Sequence, residues 1–312
     1  MNSFEKYLTA NGLSRSTVKW YNRYTLDFIA WLDKQNTDPD NATAGDITGY
    51  LSHLKQKGQA NITRRNNLVA IRHFLDWRVQ QEKRNDNPAQ HIKIRGIKHK
   101  ILYPLLSAQE LESIYHNYTV PPEDDTRAGK HWFTASRLSR QRNKAVLGLM
   151  VWQGLTTPEI GNLTTADLKL REGTIYIAGS RGSNARTLAL KPAQIMELME
   201  YQLQTRKELL KYFGGTTDSL FLPTPAAGRE MAANTNTVNI WKRLSEDIKT
   251  QSPRFINFLQ VRSSVITNWL KLYNLRQVQY MAGHRYVSST EAYQVNNIEE
   301  LQDDINKFHP IG

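Results

Sequence analysis

Toward the end of the sequence a glycine and a histidine stand side by side, Gly283 and His284, and nine residues after the histidine comes a tyrosine, Tyr293. Upstream lie Arg262 in LQVRSS, Arg181 and Arg186 in GSRGSNARTLAL, and Glu159 in GLTTPEI. A phenol can attack and form a covalent intermediate, an imidazole can exchange a proton near neutrality, and guanidinium groups keep their protons and act as fixed cationic donors. Displacement at a phosphodiester asks for such groups together, because charge grows on the non-bridging oxygens as a nucleophile adds and the leaving oxygen needs a proton. With fourteen tyrosines in the chain, Tyr293 is not singled out by its type alone. Other chemistries fall away. There is no cysteine, hence no disulfide, thiolate zinc site or Cys nucleophile; the eight histidines lack metal-ligand spacing such as HExxH; and no Walker or GxGxxG fingerprint points to a nucleotide. No metal and no cofactor are expected.

The elements that must position these residues follow from periodicity. The 312 residues carry 41 Lys and Arg against 29 Asp and Glu, a net +12, which suits nucleic acid or an acidic membrane surface without choosing between them. Residues 1–100 hold 17 of the cations and 9 of the anions, so the positive field is concentrated there. Apolar residues recur at helical spacing from about Ser14 to Gln35, from Ala44 to Lys57 with Gly58 as the stop, and from Asn61 through Leu75, after a short helix near Phe4 to Thr9. Asn87-Pro88 breaks the pattern. The run after it, with Lys93, Arg95, Lys98 and Lys100, reads as a basic linker, either a solvated tether or a strap that tracks phosphates. Beyond it a capped helix begins at Ser107, a second spans Leu138 to Gln153, and TIYIAGSRGSNARTLAL alternates around a turn as a β-hairpin does. Further helices are expected at about 193–212, 235–248, 260–272 and 276–281, and a C-terminal tail sets Ile298, Leu301, Ile305 and Phe308 on one face.

GLTTPEI, the hairpin, LQVRSS and GHRYVSSTEAY resemble the catalytic domain of the tyrosine recombinase, or phage-type integrase, family in its Xer-like two-domain branch. NITRRNNLVAIRHFLDW is similar to that family's core-binding domain. The resemblance implies a mainly α fold with a small β-hairpin or sheet. An N-terminal helical, SAM-like core-binding domain would occupy residues 1–86, a basic linker 87–105 and an α+β catalytic domain 106–312. It implies Tyr293 as nucleophile, Arg262 as a phosphate clamp, His284 as a hydrogen-bonding partner of the phosphate and Glu159 as an orienting acid. Three positions depart from the pattern. The family's first arginine is matched by Thr156, its hairpin lysine by Arg181, and the histidine three residues before Arg262 by Leu259. Leucine transfers no proton and arginine releases its proton poorly. Because the resemblance implies a hairpin that reaches into the site, Arg181 or Arg186 is expected to supply the missing clamp, with Arg285 a further candidate.

The implied function is site-specific DNA recombination by an integrase or transposase of a mobile element, through a 3′-phosphotyrosyl intermediate that needs neither ATP nor metal. The alternative is a catalytically silent DNA-binding protein that assists or regulates a partner recombinase. Double-stranded DNA is the expected partner, contacted by Arg64, Arg65 and Arg72 and by the linker cations. The chain would assemble as a tetramer in synapsis, with its tail docked on a neighbouring copy or on its own domain, and a DNA-bending protein is a possible accessory. MNSFEKYLTANG lacks the layout of a secretion signal and no stretch matches a membrane span, so a cytoplasmic, nucleoid-associated protein of a prokaryote is expected.

Overall fold

The computed structural model describes residues 3–96, 103–130, 132–212, 216–223 and 238–294, and the chain divides into two units, Met1–Ile101 and Leu102–Gly312. The first unit is all helical: α1 (Ser3–Ala10), α2 (Arg15–Asp33), α3 (Ala44–Gln56) and α4 (Asn61–Gln80). The apolar stripes read from the sequence meet in its core, where Leu8, Phe28, Leu32, Ile47, Leu68, Ile71 and Leu75 are fully or almost fully buried. Local chemistry fixes the helix starts. Ser14 accepts from the Thr17 amide at the head of α2, and Thr43 and Asp46 form a reciprocal capping box at the head of α3. Gly58 stops α3 with φ at +76°, a conformation open to glycine at no steric cost.

Residues 87–96, expected to belong to a linker, pack on this unit. Ala89 is fully buried, and Ile92 and Ile94 lie against the core. Arg72 donates from Nε to the Ala89 carbonyl at 2.9 Å and from Nη2 to that of Ile92, while Asn61 donates to the carbonyls of Arg95 and Gly96. Ile92 and Ile94 alternate with charges because one face of an extended segment rests on the helices.

The second unit carries α5 (Ala108–Asn117), α6 (Phe133–Gln153), α7 (Thr157–Gly161), three short strands β1 (Leu168–Lys169), β2 (Thr174–Ile177) and β3 (Arg186–Ala189), α8 (Pro192–Glu200), α9 (Arg206–Leu210), α10 (Val238–Gln251), α11 (Phe258–Leu270) and α12 (Leu275–Ala282). Residues 287–294 form a further helix, α13. The sheet is antiparallel in the order β1-β2-β3, with Ile175 opposite Leu188 and Ile177 opposite Arg186. Its core face, Ile175, Ile177 and Leu188, joins Leu147, Leu149 and Met150 of α6 and Val261 and Val265 of α11 in one apolar cluster. The fold is mainly α with a small sheet.

Three differences from the sequence reading have local causes. Helix α6 starts five residues early, at Phe133, which is itself buried. The helix expected over 193–212 is interrupted by a π-helical turn, Tyr201–Thr205, where Tyr201 donates to the Leu220 carbonyl and Thr205 to Gln141. Strand β1 has two residues, too few to show a period. The expected tail helix over 298–308 lies outside the described residues.

Candidate active site

The site is built around Glu159. Thr156 caps α7, and the two residues form a capping box in which the Thr156 amide and hydroxyl both donate to Glu159 Oε2, at 2.9 and 2.8 Å. At the position matching the family's first arginine, the local sequence T-T-P-E thus makes a helix start that clamps a carboxylate. Opposite it, strand alternation turns Arg186 to the core face along with Leu188. Arg186 Nη1 donates to Glu159 Oε1 at 2.7 Å, and the arginine side chain is wholly enclosed. Its Nε and Nη2 are buried with no hydrogen-bond partner among the described residues.

Arg262 enters from the first turns of α11. Its Nη1 donates to the Gly154 carbonyl at the end of α6 and lies 3.7 Å from Glu159 Oε2, while Nη2 donates to the Ala282 carbonyl at 2.7 Å. One guanidinium therefore ties together the ends of α6 and α12, both followed by left-handed glycines, Gly154 and Gly283. Burial lowers the Arg262 pKa from the usual guanidinium value, and the Glu159 charge opposes that shift. Burial by itself would raise the Glu159 carboxyl. The hydrogen bond and charge of Arg186, the Thr156 amide and the charge of Arg262 outweigh it, and the carboxyl is held at about 2.

His284 follows Gly283 in a loop fastened on two sides. Its amide donates to the Gln279 carbonyl and its carbonyl accepts from the Gln279 side chain, while Asn184 of the hairpin donates to the Gly283 carbonyl and Ser183 pairs with His284 in an isolated bridge. The imidazole stacks on the half-buried Tyr293 ring, with centroids 5.7 Å apart and planes 10° from parallel. Its Nδ1 is 2.8 Å from the hydroxyl of Thr290, a fully buried residue. Burial first, then the charges of Arg262 and Arg186, lower the His284 pKa to about 4 despite Glu159. Near neutral pH the ring is uncharged.

The structure therefore brings Glu159, Arg186, Arg262, His284 and Tyr293 into one locality, from α7, β3, α11, the loop after α12 and α13. Arg181 stands on the exposed hairpin tip, where its carbonyl accepts from Arg285 Nη1 at 3.2 Å. Leu259 is 55% exposed, an apolar side chain facing outward one turn before Arg262. Thr290 escaped the sequence reading, although its place one helical turn before Tyr293 marks it as a neighbour of that residue. Among the described residues no group of three or more His, Asp or Glu could hold a metal ion.

In the first unit the expected DNA contacts separate. Arg65, Lys93 and Arg95 are exposed. Arg64 instead donates to the Leu51 carbonyl and to Asn61, and Arg72 to the two carbonyls already named, so both guanidinium groups serve the fold. Lys98 and Lys100 lie outside the described residues.

Known proteins resemble this chain in sequence and fold. A model described as the phage integrase family matches residues 131–300, and one described as the phage integrase N-terminal SAM-like domain matches residues 1–82. The chain belongs to the phage integrase family. Within this tyrosine recombinase family, whose members cleave and rejoin DNA, tyrosine recombinase XerD of Oceanobacillus iheyensis is 26% identical over 309 residues, 96% of this chain and 94% of that protein. Tyrosine recombinase XerC of Natranaerobius thermophilus is 26% identical over 275 residues, 87% and 84% of the two chains. Among solved structures, XerH site-specific recombinase bound to a palindromic difH substrate after cleavage matches with a TM-score of 0.66 at 20% identity, covering 92% of this chain and 78% of that one. The Tn1549 transposon integrase in complex with a circular intermediate DNA matches with a TM-score of 0.60 at 14% identity and 93% coverage of each. These likenesses show a phage integrase fold. No helix among the described residues is long and apolar enough to cross a membrane.

Proposed function

We propose that this phage integrase family member is an active site-specific DNA recombinase of a mobile element. Its Tyr293 attacks a backbone phosphorus, forms a 3′-phosphotyrosyl bond and releases a 5′ hydroxyl. The attacking phenol gives up its proton, the leaving 5′ oxygen gains one, and the phosphodiester bond energy is kept in the phosphotyrosine, so religation to another strand needs no ATP. The observation that carries this reading is the stacking of Tyr293 on an uncharged His284 beside two arginines gathered around one carboxylate. Arg262 and His284 serve as donors to the non-bridging oxygens. Arg186 stands in for the arginine replaced by Thr156. Its unpartnered Nε and Nη2 are the kind of buried donors that an anionic oxygen would satisfy. Four copies on two DNA sites would carry the exchange.

A second reading, a catalytically silent DNA-binding regulator, draws on Leu259 and Thr156, which place an apolar side chain and a helix cap where the resemblance calls for a proton carrier and a cation. One experiment separates the two. On a suicide substrate nicked near the cleavage point, the wild-type chain should accumulate a covalent protein–DNA adduct and Tyr293→Phe should yield none. Duplex binding without adduct in either protein establishes the silent reading.

A further inference from the structure

Thr290 lies inside the fold and its hydroxyl meets a single group among the described residues, Nδ1 of His284 at 2.8 Å. A hydroxyl hydrogen enclosed away from water must be donated or it costs the full desolvation of the group. If Nδ1 carried the proton, Thr290 would accept it, and the threonine's own hydrogen would be left without an acceptor. With Nδ1 as the acceptor, both groups are satisfied by one bond. The ring then has a lone pair on Nδ1 and its only proton on Nε2.

We infer that Thr290 is a positioning residue that donates to Nδ1 of His284 and fixes the neutral imidazole with its proton on Nε2, so that His284 meets the scissile phosphate as an uncharged hydrogen-bond donor. The inference rests on the proposed strand cleavage for its use and on the local geometry for its substance. The surroundings agree from every side. Arg262 on α11 and Arg186 on β3 set positive charge around the ring, Glu159 on α7 offsets part of it, and the Tyr293 ring of α13 covers one face. A second positive charge on the imidazole would be opposed by those cations, and burial lowers its pKa to about 4. A protonated ring would also turn Nδ1 into a donor aimed at a hydroxyl that has nowhere else to send its hydrogen. The Gln279 contacts hold the backbone of His284 on one side of the ring, and Thr290 holds the ring itself. The fixed tautomer means that His284 contributes orientation and a hydrogen bond to the phosphate over the whole neutral range, rather than a titrating acid.

The full-length protein with ¹⁵N-labelled histidine tests this by NMR, the His284 signals being identified by their loss in His284→Gln. The expected spectrum has an unprotonated Nδ1 and a protonated Nε2, unchanged between about pH 5 and 8 where free imidazole titrates. Thr290→Val, equal in shape but without the hydroxyl, should shift the Nδ1 signal and slow adduct formation on the nicked substrate about 10-fold, less than the 10²–10³ that deleting an oxyanion donor costs. Thr290→Ser should restore both. A protonated Nδ1 in the wild type overturns the inference, as does a valine variant whose His284 signals and adduct rate match the wild type. A wild-type chain that forms no adduct sinks the proposed cleavage instead, and the spectrum still decides the tautomer.

Discussion

At the scale of residues, the site depends on a carboxylate outnumbered by cations. Two guanidinium groups are drawn into one buried locality, and each raises the electrostatic cost of the other. Glu159 offsets that repulsion: 2.7 Å from Arg186, 3.7 Å from Arg262 and fixed by Thr156, it is the only acidic group that either arginine meets among the described residues. Its carboxyl is lowered from 4.5 to about 2. A depressed carboxyl pKa contributes stability that is complete above the unfolded value and is lost as pH falls through the folded one. The loss should therefore run from about pH 4.5 to 2 and amount to about 3 kcal/mol. Urea titrations of the wild type and Glu159→Gln across that window should diverge at pH 5 and converge toward pH 2, since glutamine has no proton to gain. Parallel curves would mean that the ion pairs do not hold the arginines. The sequence offered Glu159 and Arg262 through the family resemblance and Arg186 as a residue of the hairpin. That they meet through one carboxylate was not legible, because the partners are 27 and 103 residues apart and no local period encodes such a distance.

Among elements, the sharpest constraint falls on the turn between α12 and α13. Gly283 sits at φ +69°, and a Cβ there would run into the Arg186 guanidinium. A left-handed backbone costs a side-chain-bearing residue about 1–2 kcal/mol, and the collision adds to it. Gly283→Ala should lower the unfolding midpoint and suppress adduct formation. Gly283→Asn tolerates the left-handed backbone better yet keeps the Cβ, so it should recover part of the stability and little of the cleavage. Equal recovery of both would show that backbone conformation alone explains the glycine. This element was legible as a Gly-His pair, but its reason was not: the space for Arg186 arises from a hairpin a hundred residues upstream. Elsewhere the elements were read well where periodicity runs over several turns and a cap marks the start. Ser107 ahead of α5 and Glu110 in its first turn form a capping box at the capped start expected there, and the stripes of α2, α3 and α4 point inward. Periodicity missed segments too short for a period, β1 and α7, and did not foresee a helix altered by tertiary hydrogen bonds, as at Tyr201 and Thr205.

For the whole molecule, composition placed the positive field in the first hundred residues, and the structure divides those cations by use. Arg72 fastens residues 87–96 to the helices of the first unit by donating to two carbonyls, and Arg64 fastens α4 to the middle of α3. Arg65, one residue along from Arg64, faces outward. Charge counting treats the three alike, since a guanidinium that satisfies a carbonyl and one that waits for a phosphate are the same letter in the sequence. Their substitution should separate them. Arg72→Ala leaves buried carbonyls without donors and should destabilise the first unit by about 1–3 kcal/mol, with any loss of DNA affinity following from unfolding and recovered by working at lower temperature. Arg65→Ala should leave unfolding unchanged within about 0.5 kcal/mol. It should weaken duplex binding at low salt and reduce the slope of log K against log salt by about 0.9, the mark of one phosphate contact removed. A slope unchanged in Arg65→Ala but reduced in Arg72→Ala would reverse the division, because a counterion is displaced only by a cation that reaches the DNA.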